Sequence, residues 1–327
     1  MTKTTADTET IANAIRLACR APSLHNSQPW RWVVGDATVD LFADHRRVIR
    51  STDRSGREAL ISCGAALDHF RVAMAAAGWN TNVDLFPNPS QLDHLATVDF
   101  TPSHYITTGE RDRADAILVR RTDRLPYRAP SHWESFEPLL RQTVDHSKAT
   151  MDVLPEDARP ALAEATELTE SFRRYDEYYQ DELRWWTEPF RLYQGVPPSV
   201  LVSDAEREKV AINRTFPTSD HEARRPEVQT DEAKVLVLST PENSRRDAFN
   251  CGQVLSTVLL ECTMAGLATC PLTHITELAE SRTTIQCLTG SQGFPQVLIR
   301  VGKAPALEGI PAPTPRRPLS EVMEVRR

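Results

Sequence analysis

The chain has 327 residues, of which 25% are charged and 40% apolar, a balance that suits a globular protein larger than one ordinary domain. Acidic residues outnumber basic ones 45 to 38, a formal net charge of −7, which argues against charge-driven binding to nucleic acid or an anionic membrane. No apolar run approaches the ~20 residues that span a bilayer, and the polar start MTKTTADTET lacks the apolar stretch of a secretory signal, so the expected compartment is the cytoplasm.

In chain order, Ile11, Ile15, Ala18 and Cys19 share a face at helical spacing and predict a helix from about Thr8 to Arg20, capped by Thr8. Two prolines and small polar residues then break the helix at 21–30. Runs 30–34 and 38–42 flank Gly35-Asp36 and read as a hairpin. From 56 to 77, Leu60, Cys63, Leu67, Phe70 and Met74 recur every three or four residues, and Gly78 ends that helix. A strand near 97–100 is followed by helices at 110–120 and 131–143 and a strand near 150–154. One long helix is expected over 157–187, then an irregular proline-bearing stretch over 188–230. Buried-strand runs at 235–238 and 296–301 enclose a very apolar helix at 246–265.

An internal repeat sets the expected architecture. Shifting 57–78 by 188 residues superposes Arg57 on Arg245, Cys63 on Cys251, Gly64 on Gly252, Leu67 on Leu255, Ala77 on Ala265 and Gly78 on Gly266. Either two amphipathic helices share a closing glycine and some small residues, or an α/β unit is duplicated and its long helices pack as a pseudo-dimer.

Common catalytic signatures are missing. No two glycines stand as G-x-G, so the dinucleotide fingerprint is absent, as are G-x-x-x-x-G-K-[ST], G-x-S-x-G and H-E-x-x-H. The six cysteines form no C-x-x-C pair, and the nine histidines show no metal-ligand spacing. Two short motifs stand out instead. Pro22-Ser23-Leu24-His25-Asn26-Ser27-Gln28-Pro29-Trp30 places hydroxyls, amides and an imidazole on irregular backbone, which suits hydrogen bonding to a flat heteroaromatic ring. Arg120-Arg121-Thr122-Asp123-Arg124, with Arg316-Arg317 near the C-terminus, supplies guanidinium forks that match phosphate oxygens. Taken alone, each arginine motif reads more readily as a solvated surface.

These motifs resemble those of the FMN-dependent nitroreductases. APSLHNSQPW resembles their A-P-S-x-x-N-x-Q-P-W segment, RRTDR their R-R-S-x-R motif, and PTPRRPL their C-terminal P-x-R-x-P-L segment. Over nearly its whole length the chain is most similar to the Acg group of NAD(P)H nitroreductases. The resemblance implies an α/β (α+β) nitroreductase-like fold with two similar three-layer domains, at 1–108 and 109–327. These would form an intramolecular pseudo-dimer, with a lid or insert at about 185–230. In the family each FMN lies between subunits, one giving the arginines and the other P-S-x-x-N. Here each motif occurs once, in opposite halves; Arg46-Arg47-Val48-Ile49-Arg50 lacks the hydroxyl of a second copy. One FMN per monomeric chain is therefore expected.

Carried over by residue, Arg120, Arg121, Thr122, Arg124 and Arg316, with Arg317 as the alternative to the last, would hold the ribityl phosphate. Pro22, Ser23, Leu24, Asn26 and Gln28 would border the isoalloxazine from the other domain. Leu272, Thr273 and His274 occupy the stretch that gives the family its backbone contacts to the ring; Thr273-His274 departs from the usual Glu-Gly. The flavin would carry the chemistry, with no catalytic side chain and no metal. The implied activity passes electrons from NAD(P)H to a nitroaromatic or quinone-like acceptor. The competing reading is a flavin-sequestering or storage protein with little turnover, its flavin covered by a lid bearing Trp185, Trp186, Phe190 and Tyr193.

Overall fold

The structure, a computed structural model, describes residues 5–188, 193–218, 221–307, 309 and 312–326. Its first half contains α1 (Thr8–Ala18), β1 (Trp30–Val34), β2 (Thr38–Ala43), α2 (Arg57–Ala76), β3 (Trp79–Leu85) and β4 (His94–Pro102). The second runs through α3 (Thr108–Val119), α4 (Trp133–Thr143), β5 (Thr150–Leu154), α5 (Arg159–Arg174), α6 (Glu177–Thr187) and α7 (Asp204–Glu208). It continues with β6 (Lys234–Thr240), α8 (Arg245–Met264), β7 (Ala268–Leu272), α9 (Ala279–Thr289), β8 (Phe294–Gly302), α10 (Leu319–Val322) and β9 (Met323–Val325).

Two sheets share one topology. The first has the order β3-β4-β2-β1 with β9 added at its end, and the second reads β7-β8-β6-β5. All pairings within each set of four are antiparallel. In both, the long helix lies between the second and third strands of the chain order. β9 instead pairs in parallel with β1, Trp32 opposite Met323, so the C-terminal segment crosses from the second sheet to the first.

The two long helices, α2 and α8, hold the halves together. α2 is apolar on nearly every side, the pattern of a helix buried all round. Cys63, Ala65, Ala66, Leu67, Phe70 and Met74 are all fully buried. Among the described residues α2 alone is long and apolar enough to cross a bilayer, and packing inside the protein covers that surface. The helices meet at their repeated glycines. A Cβ on Gly64 would stand 2.0 Å from the Phe249 carbonyl oxygen, and one on Gly252 2.0 Å from that of Ile61. Phe249 and Ile61 are themselves equivalent under the shift of 188, so the crossing obeys a local two-fold. The chain is thus two similar α/β units in one polypeptide.

Some boundaries differ from the expected ones for identifiable reasons. Asp7, not Thr8, caps α1 by accepting from the Thr10 amide. The helix expected over 157–187 is two: Tyr175 ends α5, and the Asp176 carboxylate restarts the chain as α6 by accepting from the Tyr179 amide at 3.1 Å. A local side-chain cap there outweighs continuous helical periodicity. α9, rich in threonine, and the three-residue β9 carried too little periodic signal to be read.

Candidate functional site

The seam between the units holds two adjoining compartments of about 230 and 90 Å3 that share Pro22, Ser23, Thr122 and Arg124. Both are organised by one unequal feature of the repeat. Eleven residues join α1 to β1, whereas only six join the equivalent α4 to β5. The longer connection turns sharply, with His25, Asn26 and Gln28 all in the left-handed region at φ 47°, 58° and 51°, a conformation held only where the surroundings impose it. Ser23 Oγ accepts from the Gln28 amide at 3.0 Å, and the Leu24 amide donates to Ser62 Oγ on α2 at 3.3 Å.

The larger compartment is cationic. The segment after α3 lies along the edge of β7, with Thr122 bridged to Thr269 and the Asp123 amide donating to the Thr269 carbonyl at 3.0 Å. This turns Arg120, Thr122 and Arg124 into the seam. Arg120 is 5% exposed, and its Nε and Nη1 have no partner. Its Nη2 and that of Arg316 both donate to the Arg20 carbonyl, each at 3.2 Å. Arg316 also binds the Cys19 carbonyl through Nε at 2.9 Å.

Burial followed by repulsion from Arg20 lowers Arg120 to about 10. Burial followed by repulsion from Arg120 and Arg20 lowers Arg316 to about 9. The acid inside the motif does not relieve them. Both Asp123 oxygens are taken by the buried Arg225, at 2.5 and 3.2 Å. Clustered guanidiniums with unsatisfied donors and no carboxylate among the described residues bridging Arg20, Arg120 or Arg316 form a receptor for a multivalent anion.

The smaller, flat compartment has mostly apolar walls. Leu24 and His25 form one wall, Glu58 and Ile61 of α2 another, and Leu272, Thr273 and His274 a third. Phe216 packs edge-on to His25 with ring centroids 5.4 Å apart, while Arg124 stands 5.1 Å from the Phe216 centroid. His25 and His274 are 5% and 1% exposed, and all four of their ring nitrogens lack partners. Burial, then repulsion from Arg214, holds both imidazoles well below their usual pKa, so they are neutral. Burial, then the Glu277 carboxylate, pushes Glu58 up to about 7.

Most residues singled out from sequence meet here. Pro22, Ser23, Asn26, Arg120, Arg121, Thr122, Arg124 and Arg316 line the cationic compartment, and Leu24, Leu272, Thr273 and His274 the flat one. Gln28 does not line either. Fully buried, it braces three segments, donating to the Asn26 carbonyl at 3.2 Å and the Tyr193 carbonyl at 2.8 Å while its Oε1 accepts from the Arg317 amide at 2.9 Å. The Arg317 side chain turns away to Glu321.

Of the aromatic residues expected in a lid, Phe190 lies outside the described residues. Trp185, Trp186 and Tyr193 line neither compartment. Gly195, Val196, Pro197 and Val200 close the cationic one, and Asn213, Arg214 and Phe216 the flat one. Glu182 ties α6 down by accepting from the Ser51 and Thr52 amides at 3.0 and 3.1 Å. Sequence reasoning does not mark Arg20, Glu58, Arg214 or Phe216 as site residues. Arg20 abuts the first motif, and Glu58 faces Arg246 under the repeat; those were the available signals.

No family model matches the chain. It is 55% identical over 326 residues to the protein named "Putative NAD(P)H nitroreductase acg" of Mycobacterium tuberculosis H37Rv, covering 100% of this chain and 98% of that one. It is also 55% identical over 321 residues to an uncharacterized protein of the same strain, covering 97% and 93%. The crystal structure of the FMN-dependent nitroreductase NfnB from Mycobacterium smegmatis in complex with NADPH is 19% identical, aligns over 66% of this chain and 99% of that one, and gives a TM-score of 0.42. Near-complete coverage at 55% identity shows that this chain belongs to the Acg group of the NAD(P)H nitroreductases.

Proposed function

We propose that the chain binds one FMN across its seam and passes electrons from NAD(P)H to a nitroaromatic or quinone-like acceptor. The observation that carries this reading is the buried Arg120, whose orphaned donors lie among Arg20, Arg124 and Arg316. A phosphate dianion would satisfy those donors and relieve the repulsion between the guanidiniums. The adjoining compartment fits a planar heterocycle: apolar walls from Leu24, Ile61 and Leu272 with polar atoms of His25, His274 and Thr273 at its edge.

Bound FMN supplies hydride and electron transfer. The protein's residues bind and orient it. Arg120, Arg124 and Arg316 with Thr122 would hold the phosphate, while the Ser23–His25 bend and the 272–274 segment would border the ring system. Phe216 and Arg214 would flank it on the side of the 212–216 segment. Since one polypeptide supplies both sides, the working unit is a monomer with one FMN, placed in the cytoplasm without a membrane or nucleic-acid partner.

A specific observation favours a second reading. The segment 193–216 closes both compartments, and the His25–Phe216 contact covers the flat one, an arrangement suited to sequestering a flavin with little turnover. The visible spectrum and cofactor stoichiometry of purified protein test the shared premise; a colourless chain that takes up no added FMN overturns both readings. Stopped-flow mixing with NADPH or NADH separates them. Rapid bleaching supports the reductase, and a flavin bleached only by dithionite supports storage.

A further inference from the structure

We propose that Glu58 is the proton donor of the flat compartment, protonating an acceptor as it is reduced and regaining its proton from solvent. This rests on the flavin reading above. In the reduction of a quinone-like acceptor, NAD(P)H supplies two electrons and one hydrogen as a hydride equivalent through the bound cofactor. The Glu58 O–H bond breaks, an O–H bond forms on the acceptor oxygen, and the resulting carboxylate takes a proton from water.

The geometry points to Glu58 because it reaches the compartment while its ion-pair partner, Arg57, is shared among several acceptors. Its side chain is 3% exposed and lines the same walls as His25 and His274. Thr273 Oγ1 donates to Oε2 at 2.8 Å, and Arg57 Nη2 to Oε1 at 3.2 Å. Arg57 is shared, however. Its Nη1 donates to the Gln296 carbonyl and side chain at 2.8 and 3.0 Å, and its Nη2 also donates to Thr276 Oγ1 at 3.0 Å. Arg214, the cation facing Glu58 from the 212–216 segment, is committed to Glu277 and, at 3.0 Å, to the Tyr179 hydroxyl. Glu277 beyond Thr273 and Asp53 before α2 add negative charge that favours the protonated acid, against the opposing charges of Arg57, Arg214 and, from α9, Arg282. His25 and His274, neutral and unpartnered, can relay a hydrogen bond but hold no spare proton near pH 7.

A second observation separates this from a structural role. Under the shift of 188 the position of Glu58 on α2 is that of Arg246 on α8. There an arginine reaches the Leu85 carbonyl at 3.1 Å and lies over Phe86. A carboxylate at this position is therefore not needed to start the helix, and α8 takes its cap from Ser244 and Asp247 instead.

The test uses the full chain loaded with FMN and reduced by dithionite, so that it does not depend on nicotinamide access. Its reoxidation by a water-soluble quinone is followed by stopped flow between pH 5.5 and 8.5, beside the absorbance of the oxidised form. In the wild type the rate is expected to fall about tenfold from pH 6 to pH 8 around a midpoint near 7, as one ionising acid requires. Glu58→Gln should keep FMN in a fluorescence titration, reoxidise at least about tenfold more slowly at pH 6, and lose the pH dependence. Thr273→Val, which removes a donor to the carboxylate, should move the midpoint upward. A flavin-loaded Glu58→Gln protein with the wild-type profile overturns the proton role alone, whereas a wild-type chain that binds no FMN overturns the reading beneath it.

Discussion

The two ends of the α2–α8 crossing are related by the repeat but are built to opposite purposes. At one end Glu58, Ile61, Thr273 and His274 surround an open compartment. At the other, the equivalent residues are Arg246, Phe249, Leu85 and Phe86. There Phe86 packs edge-on to Phe249, with centroids 5.7 Å apart, and the Arg246 guanidinium lies 5.2 Å from the Phe86 centroid. The second crevice is filled by the protein's own aromatic ring. It also lacks the eleven-residue bend, since only six residues join α4 to β5. A common backbone thus gives one receptor and one plug, and side chains at four equivalent positions together with one loop length make the difference.

The largest test of that contrast removes the anion receptor. Arg120→Ala with Arg124→Ala should weaken FMN binding on the order of a hundredfold or more, the loss of charge-assisted bonds worth about 1.5–3 kcal/mol each. Thermal stability should hold, because Arg120 and Arg124 make no carboxylate pair among the described residues. Flavin fluorescence and thermal melts read the two effects separately, and unchanged affinity would misplace the phosphate.

Next comes the crossing on which both crevices depend. Gly64→Ala and Gly252→Ala should each cost about 3 kcal/mol or more through overpacking, and by nearly the same amount, since each Cβ meets a carbonyl oxygen at 2.0 Å. Chemical denaturation measures both, and a large inequality would deny the local two-fold.

Phe86→Ala should cost about 2 kcal/mol through a cavity in the filled crevice while leaving one FMN per chain. A second equivalent of bound flavin in that variant would show that the plug alone decides stoichiometry.

The smallest effect is electrostatic. His25 and His274 have folded pKa values depressed below 6.5, so the folded chain binds fewer protons than the unfolded one. Their contribution to stability is therefore lost as pH falls through 6.5, about 1 kcal/mol between pH 7 and 6. Glu58, with a raised pKa, acts in the opposite direction over the same range. Against a His25→Leu/His274→Leu variant, the wild type should therefore lose stability more steeply on acidification.

Legibility in the sequence followed locality. The bend at Pro22–Gln28 and the 120–124 segment place their atoms through contiguous backbone, so their residues could be named from short strings. The paired helices were visible because burial on two sides writes apolar residues at helical spacing. Arg214 and Phe216 come from a proline-bearing stretch with little regular structure and enter the site only through tertiary packing. Gln28 shows the converse. Its string is the right one, yet its amide is consumed in bracing Asn26, Tyr193 and Arg317, which no spacing rule reveals.

The glycine contact between α2 and α8 has a consequence for how such a molecule can change. In an assembly of identical subunits every substitution is made twice, so a residue suited to one pocket is imposed on its mirror image. A continuous chain escapes that coupling everywhere except at the shared axis, where Gly64 and Gly252 remain mutually constrained. Acid could settle on one side and base on the other, and a histidine could face a phenylalanine across the axis, without either choice being duplicated.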